Sequence, residues 1–114
     1  MISSADVVVI GAGITGTSAA FHLAQRGLKV ALVEKRFIAA GSTGKSSAII
    51  RQHYSNEITA RMALYSLRVF QNYDAALGGG DAGFAQTGFV VLVRAQDRAG
   101  LEENVAIESA DWSI

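Results

Sequence analysis

The first forty residues alternate between short apolar runs and a helical pattern, and this order predicts a β–α–β unit. Residues 6–10 contain four consecutive branched apolar side chains, as expected for a buried parallel strand. Apolar residues then recur at helical spacing over residues 13–26, and Gly27 ends that pattern. Residues 29–33 supply a second apolar run and predict the second strand.

The remaining sequence predicts a long helix, one strand and a final helix. The helix covers residues 56–77, with Ser55 or Asn56 as its cap, and its apolar stripe is predicted to face the core: Ile58, Met62, Tyr65, Val69 and Tyr73. Residues 87–93 are rich in β-branched side chains and predict a strand, and Asp97 is the expected cap of the last helix. The fold class is therefore α/β: a Rossmann-like β–α–β unit with an added helix, strand and helix. Two parallel strands leave edges and faces without partners, so this fold is incomplete and we expect the chain to self-associate.

A glycine motif joins the first strand to the first helix, and its spacing favours dinucleotide binding. Gly11 permits a tight turn, Gly13 leaves room for a pyrophosphate and Gly16 lets the helix pack closely. The backbone of the whole motif faces the phosphates: Gly11, Ala12, Gly13, Ile14, Thr15 and Gly16. Glu34 follows Gly16 by 18 residues, where it can accept hydrogen bonds from ribose hydroxyls. A glycine-rich turn without a ligand is the alternative, but the flanking strand, helix and acid favour the binding site.

Two further phosphate motifs compete with this interpretation. Ala39 to Ser46 imitates a P-loop, but the predicted strand ends several residues earlier, so the required strand–loop–helix context is missing. Lys35 and Arg36 can meet a 2′-phosphate of NADP, although Glu34 would repel that group. They can also lie over the adenine edge or in solvent.

Composition and charge narrow the function classes. The formal net charge is zero, which gives no attraction to nucleic acid. The sequence has no cysteine and two histidines, which excludes thiolate and histidine-rich metal sites. No apolar run approaches the ~20 residues of a membrane span, and no basic leader precedes the first apolar run. We therefore expect a cytoplasmic protein without a metal, a nucleic-acid partner or a membrane span.

Residues 49–54 carry an arginine with two interpretations. Arg51 can bind a carboxylate with its guanidinium group, but its position in the sequence alone favours the other interpretation, an exposed surface arginine. His53 is expected to be structural or exposed rather than catalytic.

Nearly the whole chain resembles the N-terminal part of FAD-dependent oxidoreductases of the D-amino-acid oxidase and sarcosine oxidase group, which includes glycine oxidase and dimethylglycine dehydrogenase-like proteins. The resemblance rests on the fingerprint from Val7 to Glu34, on residues 41–51 (GSTGKSSAIIR), on Tyr54 and on residues 84–89 (FAQTGF). It implies FAD as the cofactor and Arg51 as the residue that pairs with a substrate carboxylate. It also implies that the segment after the second strand wraps the cofactor, through Ser42, Thr43, Ser46 and Ser47.

Two departures from this family limit what the resemblance implies. Lys45 stands about where some relatives link flavin to a histidine, so no covalent link is expected. Ala48 stands where monomeric sarcosine oxidases carry a second arginine. Family members run to several hundred residues, so the 114-residue chain resembles an N-terminal fragment.

The hypothesis is an FAD-binding segment of an oxidoreductase acting on the C–N bond of a small amino acid or N-methyl amino acid, inactive by itself. Residues 1–48 form the β–α–β unit and flavin loop, and residues 49–114 lead toward a substrate domain. The alternatives are a non-catalytic nucleotide-binding or assembly fragment and an NAD-binding domain.

Overall fold

The computed structural model describes residues 4–110 and divides after Ile49 into two compact units. The first unit contains strand β1 (Val7–Ile10), helix α1 (Ile14–Gln25) and strand β2 (Val30–Val33). A short 3₁₀ turn follows at Thr43–Lys45. Trp112, which the sequence places in the tail, lies outside the described residues.

The two strands of the first unit form a parallel sheet, so the predicted α/β class and β–α–β unit are confirmed. Val7 pairs with Val30 at one end of the ladder, and Ile10 pairs with Val33 at the other. Asp6 extends this pairing, since its carboxylate accepts a 2.8 Å hydrogen bond from the Lys29 N–H. Val8 and Ile10 remain 58% and 87% exposed, so one face of β1 has no apolar cover within the described chain.

Up to residue 110, the second unit contains three helices: α2 (Glu57–Gln71), α3 (Tyr73–Leu77) and α4 (Arg98–Glu108), the last preceded by a 3₁₀ turn at Ala95–Asp97. The predicted single helix over 56–77 is therefore wrong at Asn72. The Asn72 side-chain amide donates to the Arg68 carbonyl at 2.9 Å, and this local bond competes with helix continuation. None of the helices in the described chain is long and apolar enough to cross a bilayer.

The ends of these helices follow local sequence closely. Asn56 caps α2, and its side-chain oxygen accepts from the Ile58 and Thr59 N–H groups at 3.0 and 3.2 Å. Gly78 ends α3 in the left-handed conformation, with φ at 79°. Asp97 stands at the N-cap of α4 as predicted, but its side chain makes no capping hydrogen bond.

The buried face of α2 differs from the predicted stripe. Ile58, Met62 and Tyr65 are 68%, 64% and 51% exposed, whereas Ala60 is fully buried. The Gln52 amide donates to the Ala60 carbonyl at 3.0 Å, so the preceding segment covers this side of the helix. The start of the stripe therefore lies on the surface of the unit and not in its core.

Residues 87–93 do not form the predicted strand. They run without regular structure, and Phe89, Val90 and Leu92 are 61%, 81% and 91% exposed. A strand needs a neighbour that completes its hydrogen-bond ladder, and β1 and β2 pair only with each other in the described part of the chain.

Candidate functional site

The glycine turn between β1 and α1 has the geometry that the motif predicts. Gly11 has φ at +103°, a conformation that glycine adopts without strain. A Cβ at Gly16 would lie 1.8 Å from the Gly11 carbonyl oxygen, so no side chain fits there. The Gly11 N–H donates to the Val33 carbonyl at 2.8 Å, which joins the turn to the end of β2. The turn is thus fixed against both strands.

The loop after β2 packs directly onto this turn, through two hydrogen bonds. The Ala39 N–H donates to the Ala12 carbonyl at 2.8 Å, and the Thr43 Oγ1 accepts from the Ile14 N–H at 3.0 Å. Thr43 therefore caps α1 from a distant part of the sequence, since Gly13 at the N-cap has no side chain. Ala39 adopts φ at 62°, a left-handed conformation that alanine rarely takes. Nothing in the sequence therefore predicted this backbone conformation.

The Glu34 carboxylate joins the glycine turn to the loop after β2. Its Oε2 accepts from the Ala12 N–H and its Oε1 accepts from the Arg36 N–H, both at 3.0 Å. These backbone hydrogen bonds, the one from Ala12 most strongly, lower the pKa of Glu34 below its usual value. Each carboxylate oxygen can accept more than one hydrogen bond, so this arrangement leaves lone pairs for ribose hydroxyls.

The turn also fits a pyrophosphate. Among residues 4–110, the N–H groups of Gly13, Thr15 and Gly16 have no hydrogen-bond partner, and they lie at the positive end of the α1 dipole. A Cβ on Gly13 would lie 3.0 Å from Thr43 Oγ1, which is tighter than an ordinary van der Waals contact, so the Thr43 hydroxyl packs against the bare Cα of Gly13. These donors would hold a dinucleotide through its phosphates, with Glu34 at the ribose.

The other residues predicted for the cofactor loop are exposed. The Arg36 guanidinium donates to the Ala40 carbonyl at 2.9 Å and lies 6.0 Å from the Phe37 ring. Ser46 Oγ accepts from the Ala48 N–H at 3.1 Å. Lys35, Ser42 and Ser47 are exposed.

The segment that imitates a P-loop lacks the context that a P-loop requires. β2 ends at Val33, and the segment contains a three-residue 3₁₀ turn where a P-loop opens an α-helix. The glycine turn therefore remains the candidate phosphate site.

Arg51 belongs to the second unit, where it is exposed and stacked on an aromatic ring. Its guanidinium carbon lies 5.0 Å from the centre of the Tyr54 ring. Such a contact contributes about 0.5–1 kcal/mol at an exposed site. The Tyr54 N–H donates to Glu108 Oε1 at 2.9 Å, and His53 Nδ1 lies 2.7 Å from the same oxygen. His53 thus has a structural contact, and the described residues contain no group of acidic, histidine or cysteine side chains able to hold a metal.

Comparisons with known proteins agree with this geometry. The chain is 34% identical over 97 residues to the mitochondrial pyruvate dehydrogenase phosphatase regulatory subunit of Mus musculus, covering 84% of this chain and 11% of that protein. A shorter match, 57% identical over 42 residues, joins 37% of the chain to 7% of glycerol-3-phosphate dehydrogenase from Mycobacterium leprae. The crystal structure of L-proline dehydrogenase from P. horikoshii superposes with a TM-score of 0.82 at 33% identity, covering 95% of this chain and 28% of that one. The chain thus spans 7% to 28% of the lengths of these three proteins. Residues 6–113 match the family described as FAD dependent oxidoreductase (DAO), and the chain belongs to that family.

Proposed function

We propose that the chain is the N-terminal FAD-binding part of an oxidoreductase that oxidises the C–N bond of a small amino acid or N-methyl amino acid. The observation that carries the FAD part is the turn at Gly13, where N–H donors without a hydrogen-bond partner in the described residues lie at the start of α1. The amino-acid part is supported by L-proline dehydrogenase, whose likeness covers 95% of the chain. The glycerol-3-phosphate dehydrogenase match covers 37% of it and so supports less of the chain.

Different residues would bind the cofactor and the substrate. The N–H groups of Gly13, Thr15 and Gly16 would bind the pyrophosphate, and the Glu34 carboxylate would accept from the ribose. When FAD is bound, its flavin would supply the redox chemistry by accepting a hydride from the carbon bonded to the substrate nitrogen, so that the C–N bond becomes C=N. Arg51 would orient the substrate through its carboxylate, as a guanidinium binds that group with two parallel hydrogen bonds.

A non-catalytic role is the second candidate. It is favoured by the relative from Mus musculus, whose name describes a regulatory subunit. In that case the chain would bind FAD, or another nucleotide, without oxidising an amine. We propose in either case that the 114 residues do not catalyse alone. Arg51 is the only substrate-binding group assigned to them, and none of their residues is assigned as a general base.

The cofactor proposal is tested by titrating the chain with FAD and following flavin fluorescence. We expect Gly13→Ala to weaken binding by at least about tenfold, because the methyl group would press on the Thr43 hydroxyl and shift the N–H groups that face the pyrophosphate. Gly100→Ala is the matched control, since a Cβ there meets nothing within 4 Å. Equal FAD affinity in both variants, with circular dichroism showing both folded, would contradict this site.

The substrate proposal is tested on the chain together with whatever sequence follows Ile114 in its gene. We expect anaerobic addition of L-proline or sarcosine to bleach the visible flavin spectrum. A preparation that binds FAD but is bleached by no amine or amino acid favours the regulatory role. A preparation in which NAD binds more tightly than FAD contradicts the flavin assignment.

A further inference from the structure

We propose that Glu108, the last residue of α4, is a positioning residue that holds Arg51 in place to receive a substrate carboxylate. The proposal rests on the proposed function for its substrate. The placement of Arg51 itself rests only on contacts within the second unit.

Glu108 fixes two consecutive residues with one oxygen atom. Its Oε1 accepts from the Tyr54 N–H at 2.9 Å and lies 2.7 Å from His53 Nδ1. The side chains of His53 and Glu108 are only 23% and 17% exposed, so water competes weakly for these bonds. Because both bonds end on the same atom, moving that carboxylate releases both residues together.

The second step runs from Tyr54 to Arg51. With its N–H held by Glu108, Tyr54 has a fixed backbone, and its ring lies against the Arg51 guanidinium at 5.0 Å. No acidic side chain of the described chain forms an ion pair with Arg51. The ring therefore sets the position of the guanidinium without neutralising its charge, and that charge stays available to an anionic ligand.

The position of Glu108 argues against a role confined to helix stability. It stands in the last turn of α4, where the helix dipole disfavours a negative charge. The helix dipole therefore gives no reason for an acid at this end. The two bonds to residues 53 and 54 give one.

The first test measures Arg51 directly, by NMR on the chain as it stands. In the native protein the Arg51 side-chain protons should be shifted upfield by the Tyr54 ring, and Glu108→Ala should abolish this shift. Glu108→Asp keeps the charge but withdraws the carboxylate by one methylene, so it should lose the shift as well and decides the matter if the alanine variant does not fold. Glu103→Ala, an exposed acid of the same helix, is the control and should leave the shift intact. An unchanged Arg51 shift in folded Glu108→Asp would overturn the proposal.

The second test separates positioning from general stability, and it uses the chain with its following sequence and bound FAD. We expect Glu108→Ala to raise the KM for L-proline about tenfold with kcat nearly unchanged, and to leave the KM for pyrrolidine, which lacks the carboxylate, unchanged. In an Arg51→Met background the same substitution should add no further effect. Equal losses for both amines would overturn the positioning role. If neither amine is oxidised, the proposed function fails, while the NMR result still decides whether Glu108 places Arg51.

Discussion

Glu34 accepts hydrogen bonds from two backbone N–H groups, and this makes the glycine turn sensitive to acid. Because those bonds lower the pKa of Glu34 in the folded protein, its contribution to stability is fully present above the ordinary value of 4.5. That contribution is lost as the pH falls through the lowered value. We expect the urea midpoint of the native chain to drop over this acid range, and the drop to be smaller in Glu34→Gln.

The control for this prediction is Glu103→Gln, whose carboxylate is exposed on α4. It should keep the pH profile of the native chain. Identical profiles for all three proteins would show that the bonds to Ala12 and Arg36 contribute nothing to folding.

Single residues were predictable from sequence where the constraint is local to the chain. The need for glycine at 11 and 16 follows from the turn, and the structure shows it as a positive φ and as a 1.8 Å approach. The bond from Ile14 to Thr43 joins residues 29 positions apart, and the sequence predicted a cofactor role for Thr43 but not a cap. The spacing that identifies a motif holds no information on such a contact.

At the scale of elements, the cap of α2 offers a measurable prediction. The Asn56 side chain accepts two backbone hydrogen bonds that would otherwise be unmade at the helix start. We expect Asn56→Ala to lower the free energy of unfolding by about 0.5–2 kcal/mol, measured by urea denaturation. Ser55→Ala, one residue earlier, should change it by less than about 0.5 kcal/mol. A loss of equal size at both positions would mean that the cap is not its source.

Two of the features that sequence analysis placed wrongly depend on distant partners. Residues 87–93 have the composition of a strand, but no neighbouring strand of the described chain completes their ladder. The apolar spacing of α2 is helical, yet the side of the helix that becomes buried is decided by what packs on Ala60. The α/β class, the start of α2 and the end of α3 were predictable, because strand runs, caps and glycines act over a few residues, whereas the break at Asn72 was missed.

For the whole molecule, exposed apolar side chains predict self-association. Val90 and Leu92 are 81% and 91% exposed, and Ile10 on β1 is 87% exposed. Surfaces of this kind are normally covered in a soluble protein. We expect the isolated chain to elute from a sizing column as an oligomer at micromolar concentration.

Two matched variants test the cause of this association. Leu92→Lys should shift the chain toward the monomer without lowering its stability, because the side chain contacts little of its own unit. Gln96→Lys adds the same charge at an exposed position nearby and should leave the oligomer unchanged. A native chain that is monodisperse and monomeric would refute the prediction.

The 3.0 Å gap between the Cβ position of Gly13 and Thr43 Oγ1 has a consequence for which sequences can adopt this fold. Positions 13 and 43 share one small volume, so they cannot enlarge independently of each other. A homologue with alanine at 13 would need glycine or a repositioned side chain at 43, and would then lose the hydroxyl that caps α1. Positions 13 and 43 are therefore expected to covary, although the Thr43 hydroxyl lies 29 positions from Ile14, whose N–H donates a hydrogen bond to it.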